Sequence, residues 1–388
     1  MRALLITVMT MAFLAVATVA QSETSVEYWT RQGYSSNLLE SPDPLSGPFW
    51  EASLKLRGTI GQDDAKLSYA IYQEELRTGA YRFGDTHETG FNLGYTHQLG
   101  KDKVIELEGS YIRNSSGDVF LQLPGNIIGY RAVDRAVQAG GKITTTAFGD
   151  KTVFATKISQ LFKGDAHFTT GLLRPAKLDP DVGLLTLGAS RFIAAKGGEL
   201  CLCLEYNQSM VDRDEQAVYA RFPASTLRGS LAYGKEFAGS LSLIAEAGII
   251  VLSSDNLSHG GRQSRPYLRG EAKWKAPAEL EFAAAYKHDI TVGDIDDALA
   301  EIVDNYKISV SRQLNPWAKV TLAYDRSESE YVYYAYDRTT RNVSVKLTLG
   351  EEKKPKFELG YAHVKQTEAD TGNNYKGSEV TARVSGSF

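Results

Sequence analysis

The sequence predicts an all-β fold, a single transmembrane antiparallel β-barrel of about 18 strands, in which short periplasmic turns alternate with long extracellular loops. Three observations support this prediction. Apolar and polar residues alternate with period two along most of the chain, as they do in strands with one apolar and one polar face. Tight turns alternate with long polar connections. The first residues have the pattern of an export signal.

The amino terminus has the order of features found in secretory signal peptides. Arg2 precedes an apolar stretch at residues 3–16, and small residues then lead to Ala20 and the polar Gln21. This order predicts a signal peptide at residues 1–20 and a single β-barrel domain at residues 21–388. A transmembrane anchor is the alternative, but the segment is short for a span, and no later apolar run reaches the roughly 18 residues that a membrane helix needs.

The composition is that of a chain that folds, and it excludes several classes of protein. The 388 residues carry 43 basic and 47 acidic side chains, a balance that argues against a nucleic-acid binder with a basic face. Length and a mean hydropathy of -0.27 would suit a soluble protein of several domains. Alternation lowers this average, however, because each lipid-facing side chain of a barrel is offset by a polar neighbour.

Period-two alternation marks the predicted strands one after another. At residues 51–60, polar side chains from Glu51 to Thr59 interleave with apolar ones from Ala52 to Ile60, so each set lies on its own face. The same alternation marks residues 67–72, 91–96, 105–111, 268–274, 280–287, 307–311, 319–324 and 343–348. Helical periodicity is confined to a short acidic segment near residues 295–303.

Turns set the predicted number of strands. Eight short turns are predicted, near Gly61, Gly100, Gly149, Lys196, Ala238, Pro277, Asn315 and Gly350. With a longer connection on the other side of each strand pair, these turns give about 18 strands and put both ends of the mature chain on the short-turn side. Residues 165–174 also alternate. We assign them to an outer loop between Phe162 and Gly183, with 16 or 20 strands as alternatives.

A series of periplasmic β-sandwiches would alternate in the same way, since a sandwich also buries one face of each strand. Two features favour the barrel. No linker or change in composition divides the chain into sandwich-sized domains. Aromatic side chains lie at the ends of the apolar stripes, where the bilayer interface favours amphipathic rings. They are Tyr95, Tyr111, Tyr233, Tyr286, Tyr324, Phe357 and Tyr361.

The last strand carries the most specific motif. Its apolar stripe consists of Val380, Ala382, Val384, Gly386 and the terminal Phe388. This pattern resembles the carboxy-terminal strand by which Gram-negative outer-membrane β-barrels are recognised for assembly, and the chain is similar to porin-like members of that group. The resemblance covers the architecture of the mature chain, with only this strand as a specific motif. It implies a multi-pass location in the outer membrane of a Gram-negative bacterium and the barrel-assembly machinery as a partner.

Barrels of about 16 to 18 strands leave an aqueous lumen unless something fills it, so a pore is predicted. Inward-facing positions carry charges of both signs, which predicts salt-bridged walls with a subset of side chains that contacts an ionic or sugar-like solute. Solvated wall charges without such contact are the alternative. The candidate pore-lining residues are Lys55, Arg57, Glu106, Glu108, Arg228, Glu246, Arg269, Glu271, Lys273, Lys307, Lys319, Lys346 and Arg383.

The connection at residues 114–135 is the longest and is unusually apolar for an outer loop. Porins that resemble this layout fold the equivalent loop into the barrel, so we predict that this loop narrows the pore. A loop that packs on its neighbours or on a partner is the alternative. The candidate constriction residues are Val119, Phe120, Leu121, Ile127, Ile128 and Tyr130.

No metal site is predicted. An acidic stretch lacks the glycine and terminal glutamate of a helix–loop–helix calcium site, which favours a solvated acidic loop over a site for a divalent ion. It comprises Asp289, Asp294, Asp296, Asp297, Glu301 and Asp304. Cys201 and Cys203 share the lumen face, at a spacing that strains a disulfide. Buried small residues are favoured there over ligands of a soft metal.

The predicted function is the passage of small hydrophilic solutes across the outer membrane. None of the six histidines shows a Ser/His or Asp/His arrangement, so no enzyme, catalytic residue or cofactor is predicted. The alternative function is the barrel of an envelope complex that exports a surface polysaccharide or sheathes a partner protein. Expected partners are outer-membrane lipid, lipopolysaccharide, the solute or polysaccharide and, as in many porins that the chain resembles, two further copies in a homotrimer. No nucleic acid is expected.

Overall fold

The structure is a computed structural model that describes residues 22–62, 64–79, 81–123, 126–147, 149–237, 240–257, 261–293, 295–351, 354–369 and 374–388. The signal peptide predicted at residues 1–20 lies outside the described residues. Within them, antiparallel strands form one continuous sheet. The long strands are β1 Ser22–Ser35, β2 Gly47–Gln62, β3 Ala65–Thr78, β4 Thr86–Gln98, β5 Lys103–Leu123, β6 Asn126–Ala147 and β7 Asp150–Phe162, followed, after two short strands, by β10 Val182–Ala195, β11 Gly198–Met210, β12 Ser225–Phe237, β13 Leu241–Ser253, β14 Arg262–Ala276, β15 Leu280–Thr291, β16 Glu301–Asn315, β17 Ala318–Tyr331, β18 Asp337–Leu349, β19 Lys356–Glu368 and β20 Tyr375–Ser387.

The sheet closes on itself through its first and last strands. β20 pairs with β1 from Glu27 opposite Ser387 to Ser35 opposite Glu379. The amide of Val26 donates to the carbonyl oxygen of Phe388 at 2.8 Å, and the amide of Phe388 donates back at 3.0 Å. Closure leaves no unpaired edge, as a sheet that crosses a bilayer requires. The 18-strand antiparallel barrel predicted from the sequence is therefore confirmed.

The two short strands belong to the loop between β7 and β10. β8 (Asp165–Phe168) pairs with Tyr130 and Arg131 of β6, and β9 (Ala176–Lys177) pairs with β8 alone. Neither continues through the wall, because β7 pairs directly with β10. The assignment of residues 165–174 to an outer loop is confirmed, and this explains why the count is not 20.

The eight predicted short turns all fall between consecutive long strands, at the periplasmic rim. Gly61, Gly100, Gly149 and Gly350 have positive φ, a backbone conformation open to glycine without steric cost. At Gly61 a Cβ would come within 2.1 Å of the Ala65 carbonyl oxygen, so the turn after β2 requires glycine. Ala238 itself lies outside the described residues, although β12 and β13 end on either side of it.

The outer face of the barrel is apolar. Side chains such as Leu54, Leu107 and Ile249 are 52%, 52% and 62% exposed although they are hydrophobic. They stand on the face opposite the charged positions of the same strands, as the alternation predicts. Such a surface requires a lipid environment, because soluble monomers rarely expose apolar patches beyond a few hundred Å².

Residues 114–135 are a continuation of the wall and not a loop. β5 and β6 pair from Lys103 opposite Thr145 to Leu123 opposite Asn126, with a bulge at Phe120. β4 stops pairing at Ser115, so the hairpin rises roughly 25 Å beyond it. Two of the residues that suggested a constriction, Phe120 and Tyr130, contact the neighbouring loop strand β8, with ring centroids 4.8 Å and 6.3 Å from that of Phe168. The interpretation as a loop is wrong, and the narrowing of the pore by this hairpin stays a prediction.

Helix is scarce in the described residues. The α-helix α1 (Arg213–Tyr219) lies in the loop between β11 and β12, and a single 3-10 turn, Arg82–Gly84, follows β3. No helix in the described part of the chain is long and apolar enough to cross a bilayer. The helical periodicity noted near residues 295–303 produces no helix; residues 295–300 form an irregular loop, and β16 begins at Glu301.

The terminal stripe lies on the outer face, with Val380 60% and Phe388 78% exposed. Because the Phe388 ring packs little, replacing Phe388 by alanine should slow assembly without destabilising the assembled barrel, since the backbone hydrogen bonds to Val26 remain. We expect the folded fraction in the outer membrane to fall severalfold while the Tm of the folded protein changes by less than about 2 °C. Heat-modifiable gel mobility measures both quantities.

Phe154→Ala is the matched control, since Phe154 is a lipid-facing aromatic residue of β7 that is 52% exposed. It should leave the folded fraction unchanged. Equal losses in the two variants would show that Phe388 is not read as an assembly signal.

Candidate functional site

Cross-strand register places every predicted pore-lining residue on the inner face. Glu246 of β13 stands opposite Ala232 and Arg269, and Arg269 stands opposite Lys287. These positions alternate with the exposed outer residues Leu243 and Leu268. The contact of this set with a solute stays a prediction.

Ion pairs join neighbouring strands along the inner wall. Most of them join charges on adjacent strands, and their side chains are partly exposed, so each contributes little to stability. Their main effect is to fix the positions of charges around the lumen. The pairs are Arg31 with Glu51 (2.8 Å), Arg57 with Glu27 (2.6 Å), Arg228 with Glu205 (2.9 Å), Arg269 with Glu271 (2.6 Å), Lys319 with Glu281 (2.6 Å), Lys346 with Glu358 (3.3 Å) and Lys142 with Glu106.

Two cavities follow the inner wall on the β1–β7 side of the barrel. The larger, of about 890 Å³, lies against β1 to β6 and is lined by Lys55, Arg57, Tyr72, Asn92 and Gln138, among others. The second, of about 400 Å³, lies against β4 to β7, β10 and β11 and includes Glu106, Glu108, Lys142 and Lys157. Most of the residues that line them are polar or charged, which suits water and hydrophilic solutes.

The opposite side of the lumen holds a hydrophobic core at its extracellular end. Ile250, Leu252 and Tyr267, which occupy inward positions of β13 and β14, are 1%, 0% and 1% exposed. Leu299 and Ala300 of the β15–β16 loop pack against them, together with Ile290 and Ile302. Apolar inner residues would be unfavourable beside water, so their burial requires the loop to fold into the mouth.

The inward loop, described at residues 292, 293 and 295–300, bridges the mouth between distant strands. At one end, Gly293 lies close to Leu184 of β10: a Cβ added to this glycine would be 3.4 Å from the leucine side chain. The amide of Phe222, in the β11–β12 loop, donates to the Ala298 carbonyl oxygen at 2.8 Å. On the other side, the amide of Val332 donates to the Ala300 carbonyl oxygen at 3.1 Å. The inward loop therefore closes the β10–β17 sector of the mouth.

Asp297 holds the inward loop in place. It is 0% exposed, and its carboxylate accepts hydrogen bonds from the amides of Leu299, Ala300, Tyr333 and Tyr334 at 2.9 to 3.2 Å. Such charge-assisted bonds offset the cost of burying a carboxylate. The interpretation of this stretch as a solvated acidic loop is wrong for Asp297 and for Asp289, which is 7% exposed. Asp294 lies outside the described residues.

Further polar contacts tie the surrounding loops together. Lys177 pairs with Asp181 at 2.7 Å and with Glu215 of α1 at 2.5 Å. Although burial lowers the pKa of Lys177, these two carboxylates raise it above the ordinary value for lysine. For the Tyr334 hydroxyl, burial has the opposite effect and raises the pKa above its ordinary value. The raised pKa of Lys177 keeps this side chain protonated at physiological pH, so its two ion pairs persist there.

Sequence reasoning missed the inward loop and its anchor Asp297. One signal could have revealed the loop: residues 249–252 are four consecutive apolar residues, which break the alternation. A strand that is apolar on both faces is covered on both. No local pattern distinguishes Asp297 from its neighbours Asp294 and Asp296, because its hydrogen bonds depend on loops that are distant in sequence.

The two cysteines form a disulfide on the lumen face, with Cα atoms 5.9 Å apart. This overturns the expectation of unlinked small residues, although Cys201 is buried as expected, at 7% exposure. A disulfide between residues two apart constrains the unfolded chain little, so its contribution to stability is small. Among the described residues, no group of three or more His, Cys, Asp or Glu could hold a metal ion.

Two histidines of the outer face contact polar side chains. His288 Nδ1 lies 3.0 Å from Asp304 Oδ1, and His363 Nδ1 lies 2.8 Å from Ser378 Oγ. Asp304 Oδ1 also accepts from the Tyr286 hydroxyl at 2.7 Å, but His288 Nε2 has no hydrogen-bond partner among the described residues. A catalytic triad requires the hydroxyl on that second imidazole nitrogen, so this group does not have the triad arrangement. His259 lies outside the described residues.

Solved structures share this fold. A BenF-like porin from Pseudomonas fluorescens Pf-5 matches with a TM-score of 0.52 and 10% identity over 95% of this chain and 100% of the porin. OccK1 from Pseudomonas aeruginosa matches with a TM-score of 0.52 and 9% identity over 94% of this chain and 99% of OccK1. The siderophore receptor PirA from Acinetobacter baumannii gives a TM-score of 0.56 and 7% identity over 96% of this chain and 81% of the receptor.

No protein-family model and no curated protein matches the chain. At the identities of the solved structures, likeness shows the fold alone. Together with the closed sheet and its apolar outer face, it shows an outer-membrane β-barrel, which confirms the predicted fold class and location in the outer membrane.

Replacing Asp297 by alanine should release the inward loop. The change leaves four amides without their acceptor, of which those of Leu299 and Ala300 are buried, at about 1–3 kcal/mol for each amide that water does not reach. We expect amide exchange at Leu299, Ala300 and Tyr333 to accelerate at least tenfold, with the strands unaffected. Hydrogen–deuterium exchange in detergent measures this change.

Asp255→Ala is the control, because Asp255 is an exposed acidic residue of a neighbouring loop. It should leave exchange in the inward loop unchanged. Unaltered protection in Asp297→Ala would refute the anchoring role.

Proposed function

We propose that the protein is an outer-membrane channel for small hydrophilic solutes, whose path follows the β1–β7 side of the lumen. The observation that carries this proposal is the asymmetry of the barrel. The two larger cavities lie along β1 to β7, the second of them reaching β10 and β11, whereas the apolar core and the inward loop occupy the mouth on the β10–β17 side.

Charges of both signs line this path. Lys55 and Arg57 stand near the hydroxyl of Tyr72 and the amides of Asn92 and Gln138. Hydroxyl and amide groups can replace the hydrogen bonds that a hydrophilic solute loses with water. A wall of this composition suits neutral or zwitterionic solutes and gives weak selectivity between anions and cations.

The inward loop is the constriction in this proposal. It is fixed by a core of side chains less than a tenth exposed and by the anchor Asp297, so it narrows the mouth permanently. The β5–β6 hairpin, by contrast, contacts the loop between β1 and β2, where Gln122 Oε1 accepts a hydrogen bond from Ser41 Oγ at 3.0 Å.

Replacing residues 293–299 by a short Gly-Ser link should raise single-channel conductance in planar bilayers about twofold or more, because it opens the closed sector of the mouth. The larger pore should also pass larger sugars in liposome swelling. Both measurements use the full-length mature protein.

Removing residues 119–130 in a second variant tests the hairpin as the constriction. An increase there, with no change in the first variant, would assign the constriction to the hairpin. A wild-type barrel that stays closed in bilayers would refute the channel and favour the barrel of an envelope complex.

A further inference from the structure

Four basic residues form a row across adjacent strands at the extracellular end of the barrel. Arg326 of β17 stands directly opposite Arg341 of β18, Arg341 opposite Lys365 of β19, and Lys365 opposite Lys376 of β20. We call these four residues the cationic row. With strands about 4.8 Å apart, the row spans roughly 15 Å of the wall.

The row lies on the outer face. Each member is separated by an even number of residues from an exposed apolar residue of its own strand, namely Leu322, Val343, Tyr361 and Val380. Arg341, Lys365 and Lys376 are themselves exposed. Side chains at even separations share a face of a strand, so the row and the apolar band form one surface.

The height of the row corresponds to the edge of the bilayer. The next row below consists of Tyr324, Val343, His363 and Ser378, in register across the same strands. Below it follow Leu322, Val345, Tyr361 and Val380, all exposed and mostly apolar. Successive rows are about 6.7 Å apart along the strands. The cationic row therefore stands where acyl chains give way to headgroups.

Within the described part of the chain, a carboxylate neutralises one member of the row: Glu328 pairs with Arg326. Among the described residues, no carboxylate contacts Arg341, Lys365 or Lys376, and the nearby Asp304 already accepts from Tyr286 at 2.7 Å and contacts His288. Like charges directly opposite on neighbouring strands repel each other. Such an arrangement is stable when an external anion occupies it.

We infer that the cationic row binds the phosphorylated headgroup of an outer-leaflet lipid, as in lipopolysaccharide. Arginine and lysine at a membrane surface attract anionic lipids, and the Arg341 guanidinium can hold a phosphate through two parallel hydrogen bonds. The length of the row suits a headgroup with more than one phosphate. The apolar rows below would contact the acyl chains of the same molecule.

The test measures how far diphosphorylated lipid A raises the Tm of the purified full-length mature barrel in neutral detergent. The triple variant Arg341→Gln, Lys365→Gln, Lys376→Gln should raise the lipid concentration for half-maximal stabilisation by at least about tenfold. The control triple variant, Lys101→Gln, Lys103→Gln, Lys356→Gln, removes the same charge at the periplasmic rim and should behave as wild type.

Further arms identify the source of the phosphate. Dephosphorylated lipid A and inorganic phosphate should each stabilise the wild type much less than lipid A. Equal protection by inorganic phosphate would overturn the lipid and indicate a site for a free anion. Equal losses in the two triple variants would overturn the site and indicate unspecific attraction.

The charge-preserving variant Arg341→Lys, Lys365→Arg, Lys376→Arg covers the case in which the neutral triple variant fails to fold. It should retain most of the response to lipid A. Loss of the response in this variant, despite the retained charge, would overturn the proposal. So would single Gln variants that respond to lipid A as the wild type does. None of these measurements depends on channel conductance, so they test the lipid site separately from the proposed channel.

Discussion

The structure depends on one constraint: inside a bilayer, every backbone amide and carbonyl must find its partner within the protein. The chain meets it by pairing each long strand with two neighbours and by joining Val26 to Phe388 at the seam. Closure at this number of strands makes the barrel wide, and a wide barrel has a lumen that side chains of the wall alone do not fill.

The inward loop follows from this excess of space. Ile250 and Leu252 face the lumen and would be in water without it, and the loop supplies Leu299 and Ala300 to cover them. A loop inside a lumen brings its own backbone groups, which need partners as well. Asp297 and the amides around it satisfy that need, with Arg221 donating to the Ile295 carbonyl oxygen at 2.6 Å.

The two faces of the wall use charge differently. On the inner face, Arg228 pairs with Glu205 and Arg269 with Glu271, so the field around the lumen is balanced over short distances. On the outer face, the cationic row gathers charges of one sign at one height. The first arrangement suits passage of solutes of either sign, and the second suits a bound anion that stays in place.

The sequence by itself determined the strands, their faces and the eight short turns, because these depend on residues two positions apart and on local glycine conformations. It also determined that charged side chains such as Lys55 and Glu108 face inward. Only the tertiary structure decided which loop enters the lumen, that residues 114–135 extend the wall, and that the basic residues of β17 to β20 share one height. The physical reason is that these features depend on the register between strands and on contacts between loops far apart in the chain, for which no short-range pattern codes.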